Sequence, residues 1–392
     1  MDRARIHEGI RRMRFADVLS RSERSQLSQI EAAELLGISE RTFRRWRDRH
    51  RAIGLPGLFD RRLAPSLRRA PAAEIERMLG LYRDIYRGFT VKHFHEQLVK
   101  RHNYVLGYTV TKLHPHREGL VQKARKRSAH RKKRPRRPMV GMMLHQDASM
   151  HAWLPGDPRQ YDLVVTMEDA TSGIYSAFLV AEEGTASSFR GLREVVERHG
   201  LFCSLYSDRG SHYFFTPEAG GKVSKTVLTQ VGRALKELGI EHIPAYSPQA
   251  RGRSERVFET LQDRLPKDFK LAGIDTVKAA NDWLRDYYIA DHNARFAVQA
   301  EQQDSAFVAD TAGAWREILC IQEDRTVGQD NTVKWEGLSL QLPPSRLRPH
   351  FAKTTVRLHV YHDGQMAVFW GPHRLGDYDA KGTVITTTQK AA

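Results

Sequence analysis

Cysteine is scarce in this chain of 392 residues. Cys203 and Cys320 are the only two, and they lie far apart without a CxxC spacing. This excludes a disulfide framework and gives no indication of a structural zinc site. Long apolar runs are also missing: no stretch of about 18 apolar residues occurs, and the N-terminal residues do not have the pattern of a signal peptide. We therefore expect a soluble, cytoplasmic protein that has no membrane partner.

Acidic residues are outnumbered by basic ones. The chain has 63 Lys and Arg against 46 Asp and Glu, which gives a formal net charge of +17. Such an excess favours a polyanionic partner, and nucleic acid fits better than a membrane surface because no segment would enter a bilayer. The length predicts roughly two to four domains rather than a single core.

Residues 29–49 carry two short helical patterns separated by Gly37. Their apolar residues are spaced to pack two crossed helices together, Gly37 suits a left-handed turn, and Ser39 can cap the second helix. The pattern predicts a helix-turn-helix DNA-binding domain within residues 1–60. A solvated basic face on a structural helical hairpin is the alternative. The outward positions of the second helix suit base edges and phosphates in a major groove, and they are Arg41, Thr42, Arg44 and Arg45.

Two further segments precede the central region. Residues 61–121 are expected to form a second small DNA-binding domain, either helical or winged. Residues 122–138 contain ten Lys or Arg and no acid, so this segment repels itself and cannot form a core. We expect a basic linker that lies along phosphates, with a merely solvated tether as the alternative. Its predicted DNA contacts are Arg131, Lys132, Lys133 and Arg134.

Residues 139–304 alternate between strand and helix patterns. Three strand-like segments come first, with turn residues at 169–173 that indicate a hairpin. Helix, strand, helix, strand and helix follow, which is the order of a ribonuclease-H-like α/β fold. Two predicted strands end at an acid and one predicted helix begins near another: Asp147, Asp208 and Glu255. Three such carboxylates are what a pair of divalent metal ions needs.

Around these acids the sequence resembles the bacterial DDE insertion-sequence transposases, which are relatives of retroviral integrases. The motifs HQDASMHAWLPG, LYSDRG and SPQARGRSERVFETLQDRL carry the resemblance, and they are most similar to the ISNCY-like branch. The resemblance implies that Asp147 bridges two Mg²⁺ (or Mn²⁺) ions, with Asp208 on one ion and Glu255 on the other. It also implies cleavage of DNA ends and strand transfer. The partners would be double-stranded DNA, as terminal inverted repeats and as target, and a second copy of the chain in a synaptic complex that is at least a dimer.

Other charged residues near these motifs leave alternatives open. Glu259 lies one turn after Glu255 and is its main rival as third ligand. Asp162, Glu168 and Asp169 are also acidic and lie near predicted strands, but we interpret them as turn or surface residues. Three arginines beside the third acid could hold scissile phosphates or merely balance charge, and they are Arg251, Arg253 and Arg256.

Residues 305–392 show short strand patterns and turns. A turn at His362 to Gln365 indicates a hairpin. The segment predicts a small β-barrel that resembles an integrase C-terminal domain. The leading hypothesis is therefore a transposase. The alternatives are a transposase-derived DNA-binding regulator without catalysis and a ribonuclease-H-like nuclease without strand transfer.

Overall fold

The structure is a computed structural model that describes residues 3–58, 69–122, 134–218, 221–246, 252–311 and 313–385. The chain divides into two compact units, Met1–Arg87 with His95–Leu120, and Gly88–Phe94 with Val121–Ala392. Within the described ranges, every helix is too short or too polar to cross a membrane.

The first 122 residues are helical wherever the structure describes regular elements. Helix α1 spans Arg3–Glu23, α2 Gln29–Leu36 and α3 Glu40–Ile53, and a short 3-10 turn follows at Leu55–Leu58. Helices α4, α5 and α6 span Ala72–Asp84, Val91–His102 and Tyr108–Arg117. Residues 69–122 hold these three helices and no strand, so this segment is helical and not winged, while its role as a second DNA-binding domain stays a prediction.

The predicted helix-turn-helix is confirmed, and local capping explains its geometry. Helix α2 ends at Gly37, whose φ of +66° is the left-handed conformation that glycine adopts without strain. The Ser39 hydroxyl accepts the Thr42 amide and so begins α3. Phe43 of α3 is fully buried, with its ring centroid 5.6 Å from that of Phe15 in α1. The second helix of the motif is thereby packed onto a third helix, which leaves its opposite face to solvent.

The central region is a five-stranded mixed sheet with helices on both faces. Its elements are β1 Leu144–His151, β2 Tyr161–Glu168, β3 Ile174–Val180, α7 Thr185–His199, β4 Ser204–Ser207, α8 Gln230–Glu237, β5 Glu241–Pro244 and α9 Ser254–Ala272. The strand order is β3-β2-β1-β4-β5. Strands β1 to β3 pair antiparallel, whereas β4 runs parallel to β1 and β5 parallel to β4. The α/β core therefore has the predicted element order.

Helix α9 covers one face of this sheet, and α7 and α8 cover the other. Leu163 and Val165 of β2 pack in one cluster with Phe258 and Leu261 of α9. Leu144 of β1 points the other way and packs with residues of α7 and α8. Helix α10 (Val277–Trp283), a π-helical turn (Leu284–Tyr288) and α11 (Ile289–Phe296) follow α9. The two faces of β1 thus have different environments.

Two elements differ from their predicted bounds. Strand β1 does not end at Asp147 but continues to His151, because residues as far as His151 pair with β2. Helix α8 begins at Gln230, later than the helical pattern from Lys225 indicates, because Thr229 accepts the Gly232 amide and caps it there.

The C-terminal region contains a short helix and six strands among its described residues. They are α12 Trp315–Ile318, β6 Ile321–Thr326, β7 Thr332–Trp335, β8 Leu338–Gln341, β9 Thr355–Val360, β10 Met366–Trp370 and β11 His373–Tyr378. Strands β11, β10, β9 and β6 form an open antiparallel sheet, and β7 pairs with β8. The predicted hairpin between β9 and β10 is confirmed. Closure into the predicted barrel is not confirmed, since the described strands form two separate sheets.

Candidate active site

Asp147 lies in the middle of β1, opposite Val165 of β2. Alternate residues of a strand share a face, so His145, Asp147 and Ser149 point the same way. Ser149 Oγ accepts a hydrogen bond of 2.8 Å from Gln262 of α9. Asp147 therefore faces the side of the sheet that α9 covers, and only 9% of it is exposed.

Asp208 follows β4 directly, on the strand that runs parallel to β1. The register pairs Leu144 with Leu205 and His145 with Tyr206. Continued by two residues, to one residue past the end of β4, this register would align Asp208 with Asp147 on the same face of the sheet. The two acids that the sequence predicts at strands are thus brought together.

Local contacts fix the backbone at Asp208. The Gly210 amide donates to Asp208 Oδ1 at 2.8 Å. A side chain at Gly210 would place its Cβ 3.0 Å from that oxygen, so the Asp208 carboxylate would have to shift to accommodate it. Tyr213, five residues after Asp208, lies close enough to both acids for their charges to act on its hydroxyl. Burial raises its pKa well above the ordinary value, and Glu183, Asp147 and Asp208 add to the shift.

Glu255 lies in the first turn of α9 and is exposed. Residues three and four apart share a helix face, so Glu255, Glu259 and Gln262 form one stripe. Gln262 contacts Ser149 of β1, which shows that this stripe lies on the β1 side of the helix. The structure therefore leaves both glutamates as third-ligand candidates. Among the described residues, no group of three His, Cys, Asp or Glu side chains is close enough to hold a metal together.

A buried carboxylate that sequence analysis missed lies at the end of this face. Asp169 follows β2, and its side chain is fully buried. Its carboxylate accepts hydrogen bonds from His145 Nε2 at 2.7 Å, from Arg134 at 2.6 Å and from the Arg137 amide at 2.7 Å, and it also pairs with Arg253. Asp169 therefore connects the β1 segment, the end of the basic linker and the start of α9.

Ionisation of Asp169 is favoured by its partners. Burial opposes the charge, but the donors from His145, Arg137 and Arg253 outweigh it and hold the pKa of Asp169 below its usual range. Burial lowers the pKa of His145 despite Asp169. The contact to an ionised carboxylate requires the proton on Nε2, so His145 acts as a neutral donor.

The prediction that Glu168 and Asp169 are turn or surface residues was wrong with respect to exposure. Asp169 does lie in the turn after β2, yet both side chains are fully buried. Glu168 accepts the amides of Gly141 at 2.9 Å and Ala170 at 3.1 Å, and burial raises its pKa. Asp162 is half-buried and accepts the Glu183 amide. Apart from the Ala170 amide, the hydrogen-bond donors that permit this burial lie elsewhere in the chain, so the local sequence did not identify it.

The predicted DNA contacts on α3 lie together on its outer surface. Arg41, Arg44 and Arg45 are exposed and line a shallow depression that also includes Asp48 and Arg49. Thr42 is half-buried, and its hydroxyl lies 2.9 Å from Ser39 Oγ. Three of the four predicted contacts are thus available to a ligand, while Thr42 also serves the helix cap.

The predicted contacts nearer the acids divide into three groups. Arg134 and Arg253 are half-buried partners of Asp169. Arg256 is exposed, and its Nε donates to the Gly252 carbonyl at 2.8 Å. Four others lie outside the described residues: Arg131, Lys132, Lys133 and Arg251.

Comparisons with known proteins agree with these features. Residues 9–59 match a family described as a homeodomain-like domain. The chain is 29% identical over 376 residues to the transposase y4bF of Sinorhizobium fredii, which covers 94% of this chain and 81% of that protein. It is 31% identical over 163 residues to the transposase for insertion sequence IS1202 of Streptococcus pneumoniae, covering 42% of this chain and 34% of that one.

Similar solved structures include two retroviral proteins. The HTLV-2 integrase catalytic core domain in complex with magnesium is 12% identical, with a TM-score of 0.28, and covers 37% of this chain and 86% of that one. A simian T-cell lymphotropic virus intasome in complex with PP2A regulatory subunit B56 gamma is 13% identical, with a TM-score of 0.33, and covers 75% and 95%. The helix-turn-helix match and the two transposase relatives support a bacterial insertion-sequence transposase, to which this chain is similar over most of its length.

Proposed function

We propose that this protein binds the terminal inverted repeats of its insertion sequence, cleaves the DNA ends and joins them to target DNA in a metal-dependent reaction. The observation that carries the proposal is the placement of Asp147 and Asp208 side by side on the sheet face that α9 covers. The Glu255 stripe of α9 lies on the same side. An acidic pair of this kind, with Asp147 buried and Asp208 half-buried next to a basic helix end, suits phosphodiester chemistry better than DNA binding alone.

The donor atoms fit a hard divalent cation. Mg²⁺ and Mn²⁺ prefer carboxylate oxygens, and Asp147 and Asp208 offer these from adjacent strands. In our assignment Asp147 would hold both ions, Asp208 one and Glu255 the other. Two ions bound there would stabilise the negative charge that develops on the attacking and leaving oxygens.

The chain's own residues orient the DNA strand. Arg256 is exposed at the start of α9 and is available to a phosphate oxygen. Asp169 holds Arg253 and His145, and thereby the backbone beside Glu255 and Asp147. Water would attack the phosphodiester at the element end and free a 3′-hydroxyl, which would then attack a phosphodiester of target DNA in the same site. Neither a covalent protein intermediate nor ATP is needed for these two steps. Synapsis of two ends requires at least a dimer, and we place the protein on DNA in the bacterial cytoplasm.

Arg44→Ala is expected to weaken DNA binding. Arg44 is exposed on α3, and each lost phosphate contact reduces the slope of log affinity against log salt concentration by about one. Affinity for a repeat-containing duplex, measured at several salt concentrations, tests this. Arg51→Ala is the matched control on the same helix, since Arg51 pairs with Glu23 of α1 at 3.2 Å. Equal salt slopes for wild type and Arg44→Ala would contradict the assigned contact.

The third ligand is decided by a pair of isosteric variants. Glu255→Gln is expected to lower the rate of end cleavage by about a thousand-fold, because it removes a metal ligand. Glu259→Gln is expected to retain cleavage, since Glu259 lies one turn further along the same stripe. Cleavage of an end-labelled duplex in Mg²⁺ measures both. The opposite result, with Glu259→Gln inactive and Glu255→Gln active, would transfer the role to Glu259.

A further inference from the structure

We infer that an arginine-lined pocket beside α9 binds one non-scissile phosphate of the DNA backbone; this inference rests on the proposed function. The pocket is a cavity of about 360 Å³ next to the N-terminal end of α9. Its walls include four arginines, Arg134, Arg136, Arg253 and Arg256, together with His292 of α11. We call it the arginine pocket.

Charge in the arginine pocket is strongly unbalanced. No acidic side chain lines it among the described residues. The nearby carboxylate of Asp169 pairs with Arg134 and Arg253, so one negative charge faces four guanidinium groups. A bound anion would relieve this repulsion, because guanidinium groups form paired hydrogen bonds with phosphate oxygens.

Arg136 is held in place by neutral groups. Its NH1 donates to the carbonyl oxygens of Asp169 at 3.0 Å and Ala170 at 3.2 Å, and to Ser172 Oγ at 2.8 Å. These bonds orient the side chain without neutralising it. Burial, followed by the positive charge of Arg253, lowers the pKa of Arg136. The guanidinium is therefore preorganised in a positive field that the single carboxylate of Asp169 only partly offsets.

His292 supplies an independent observation. It is 2% exposed and lines the arginine pocket, and within the described part of the chain its buried Nδ1 has no hydrogen-bond partner. Burial lowers its pKa to about 4, so the ring is neutral at neutral pH. A neutral imidazole can donate from Nδ1 to a phosphate oxygen without adding another positive charge. Buried polar atoms without a protein partner are usually satisfied by water, an ion or a ligand, and a phosphate oxygen in the arginine pocket could accept this hydrogen bond.

The position of the arginine pocket indicates that it binds a non-scissile phosphate and not the scissile one. Arg256 and Thr260 line the pocket, whereas Glu255, Glu259 and Gln262 form the stripe that faces β1. The pocket and the acids therefore lie on different sides of α9. The scissile phosphate belongs at the acids, so the arginine pocket receives another phosphate of the bound DNA.

The test uses the full-length protein and repeat-containing duplexes, each with a single neutral methylphosphonate linkage at a successive position. Affinity is measured without divalent metal, so that cleavage does not contribute. We expect that a methylphosphonate at one particular non-scissile position lowers the affinity of the wild-type protein about ten-fold. The Arg256→Gln variant should bind unmodified DNA with an affinity lower than that of wild type by a similar factor. A methylphosphonate at the same position should then cause no further loss of affinity, while methylphosphonates at other contacted positions should still lower it. Arg136→Gln should show the same coupling.

Arg285→Gln is the matched control, because Arg285 is an exposed arginine paired with Asp282 and Asp286 away from the pocket. It should keep the wild-type pattern at every linkage. A merely structural role of Arg256 or Arg136 would weaken binding at all linkages alike, and that result would overturn the inference. Another outcome is that the wild-type protein prefers the repeat and cleaves it, while neither arginine variant loses its sensitivity to any one methylphosphonate position. That result would refute phosphate binding in the arginine pocket but not the proposed function. Wild type without preference for the repeat would refute both proposals.

Discussion

Asp147→Asn is expected to abolish end cleavage and strand transfer while DNA binding persists. The substitution keeps the shape of the side chain but removes the charge of the acid that we place between two metal ions, so the rate should fall by at least about a thousand-fold. Asp208→Asn should have an effect of similar size, because its carboxylate lies on the adjacent parallel strand. The measurement is Mg²⁺-dependent cleavage and joining of a labelled duplex that carries the element's end.

Asp162→Asn is the matched control for this experiment. Asp162 lies on β2 opposite Met150, on the other face of the sheet, and accepts the Glu183 amide at 2.8 Å. Asparagine can accept the same bond, so activity should remain. If wild type binds the repeat but never cleaves it, the regulator without catalysis replaces the transposase reaction. If wild type cleaves but never joins, a nuclease is the better description.

Asp169→Asn is expected to destabilise the protein by about 3 to 5 kcal/mol, as is usual when one partner of a buried ion pair is removed. The variant loses the negative charge that Arg134 and Arg253 share, and its amide group would face donors such as His145. Unfolding in urea measures the change in free energy. Asp286→Asn is the control, since Asp286 pairs with Arg285 at the exposed surface. It should leave the unfolding midpoint unchanged.

The same variant should alter the dependence of stability on pH. The pKa of Asp169 is lowered in the folded protein, so its ionised form contributes stability above the pKa of an unfolded aspartate, about 3.9. That contribution is lost as pH falls through the lower pKa of the folded state. The difference in unfolding free energy between wild type and Asp169→Asn should therefore narrow in acid. A difference that is constant down to low pH would contradict the role assigned to the carboxylate.

The residual DNA-cleavage activity of the Asp169→Asn variant would also show what Asp169 does. Its carboxylate does not belong to the proposed metal ligands, but it contacts His145 and Arg253, each two residues from one of them. We expect residual activity of the folded variant to show a lower cleavage rate with little change in affinity for DNA. A loss of affinity alone would place Asp169 in the DNA-binding surface instead.

Features that depend on near neighbours were predictable from the sequence. The helix-turn-helix follows from Gly37 and Ser39, since a left-handed helix end and an N-cap act within about four residues. The element order of the core follows from strand and helix periodicity, and the turn after β2 follows from its small and polar residues. The acids themselves were identified from the motifs that surround them.

Features that depend on distant neighbours were not predictable in the same way. Asp169 was assigned to the turn or surface because its own segment is a turn, yet the arginine that pairs with it lies 84 residues away at Arg253. Asp147 was placed at a strand end, because the pairing that extends β1 to His151 is made by β2. His292 attracted no functional assignment, and Arg136 was assigned only as part of the basic linker, since the two residues meet only in the arginine pocket.

The sequence by itself determined the local elements, the excess of positive charge and the identity of the candidate acids. Tertiary structure decided which of these residues are neighbours. The parallel register of β1 and β4 sets Asp147 beside Asp208, and the packing of α9 turns both Glu255 and Glu259 toward that face. The physical reason is that strand pairing and helix packing bring together groups that are far apart in the chain. A buried charge such as that of Asp169 is tolerated only where distant parts of the chain supply its hydrogen-bond donors.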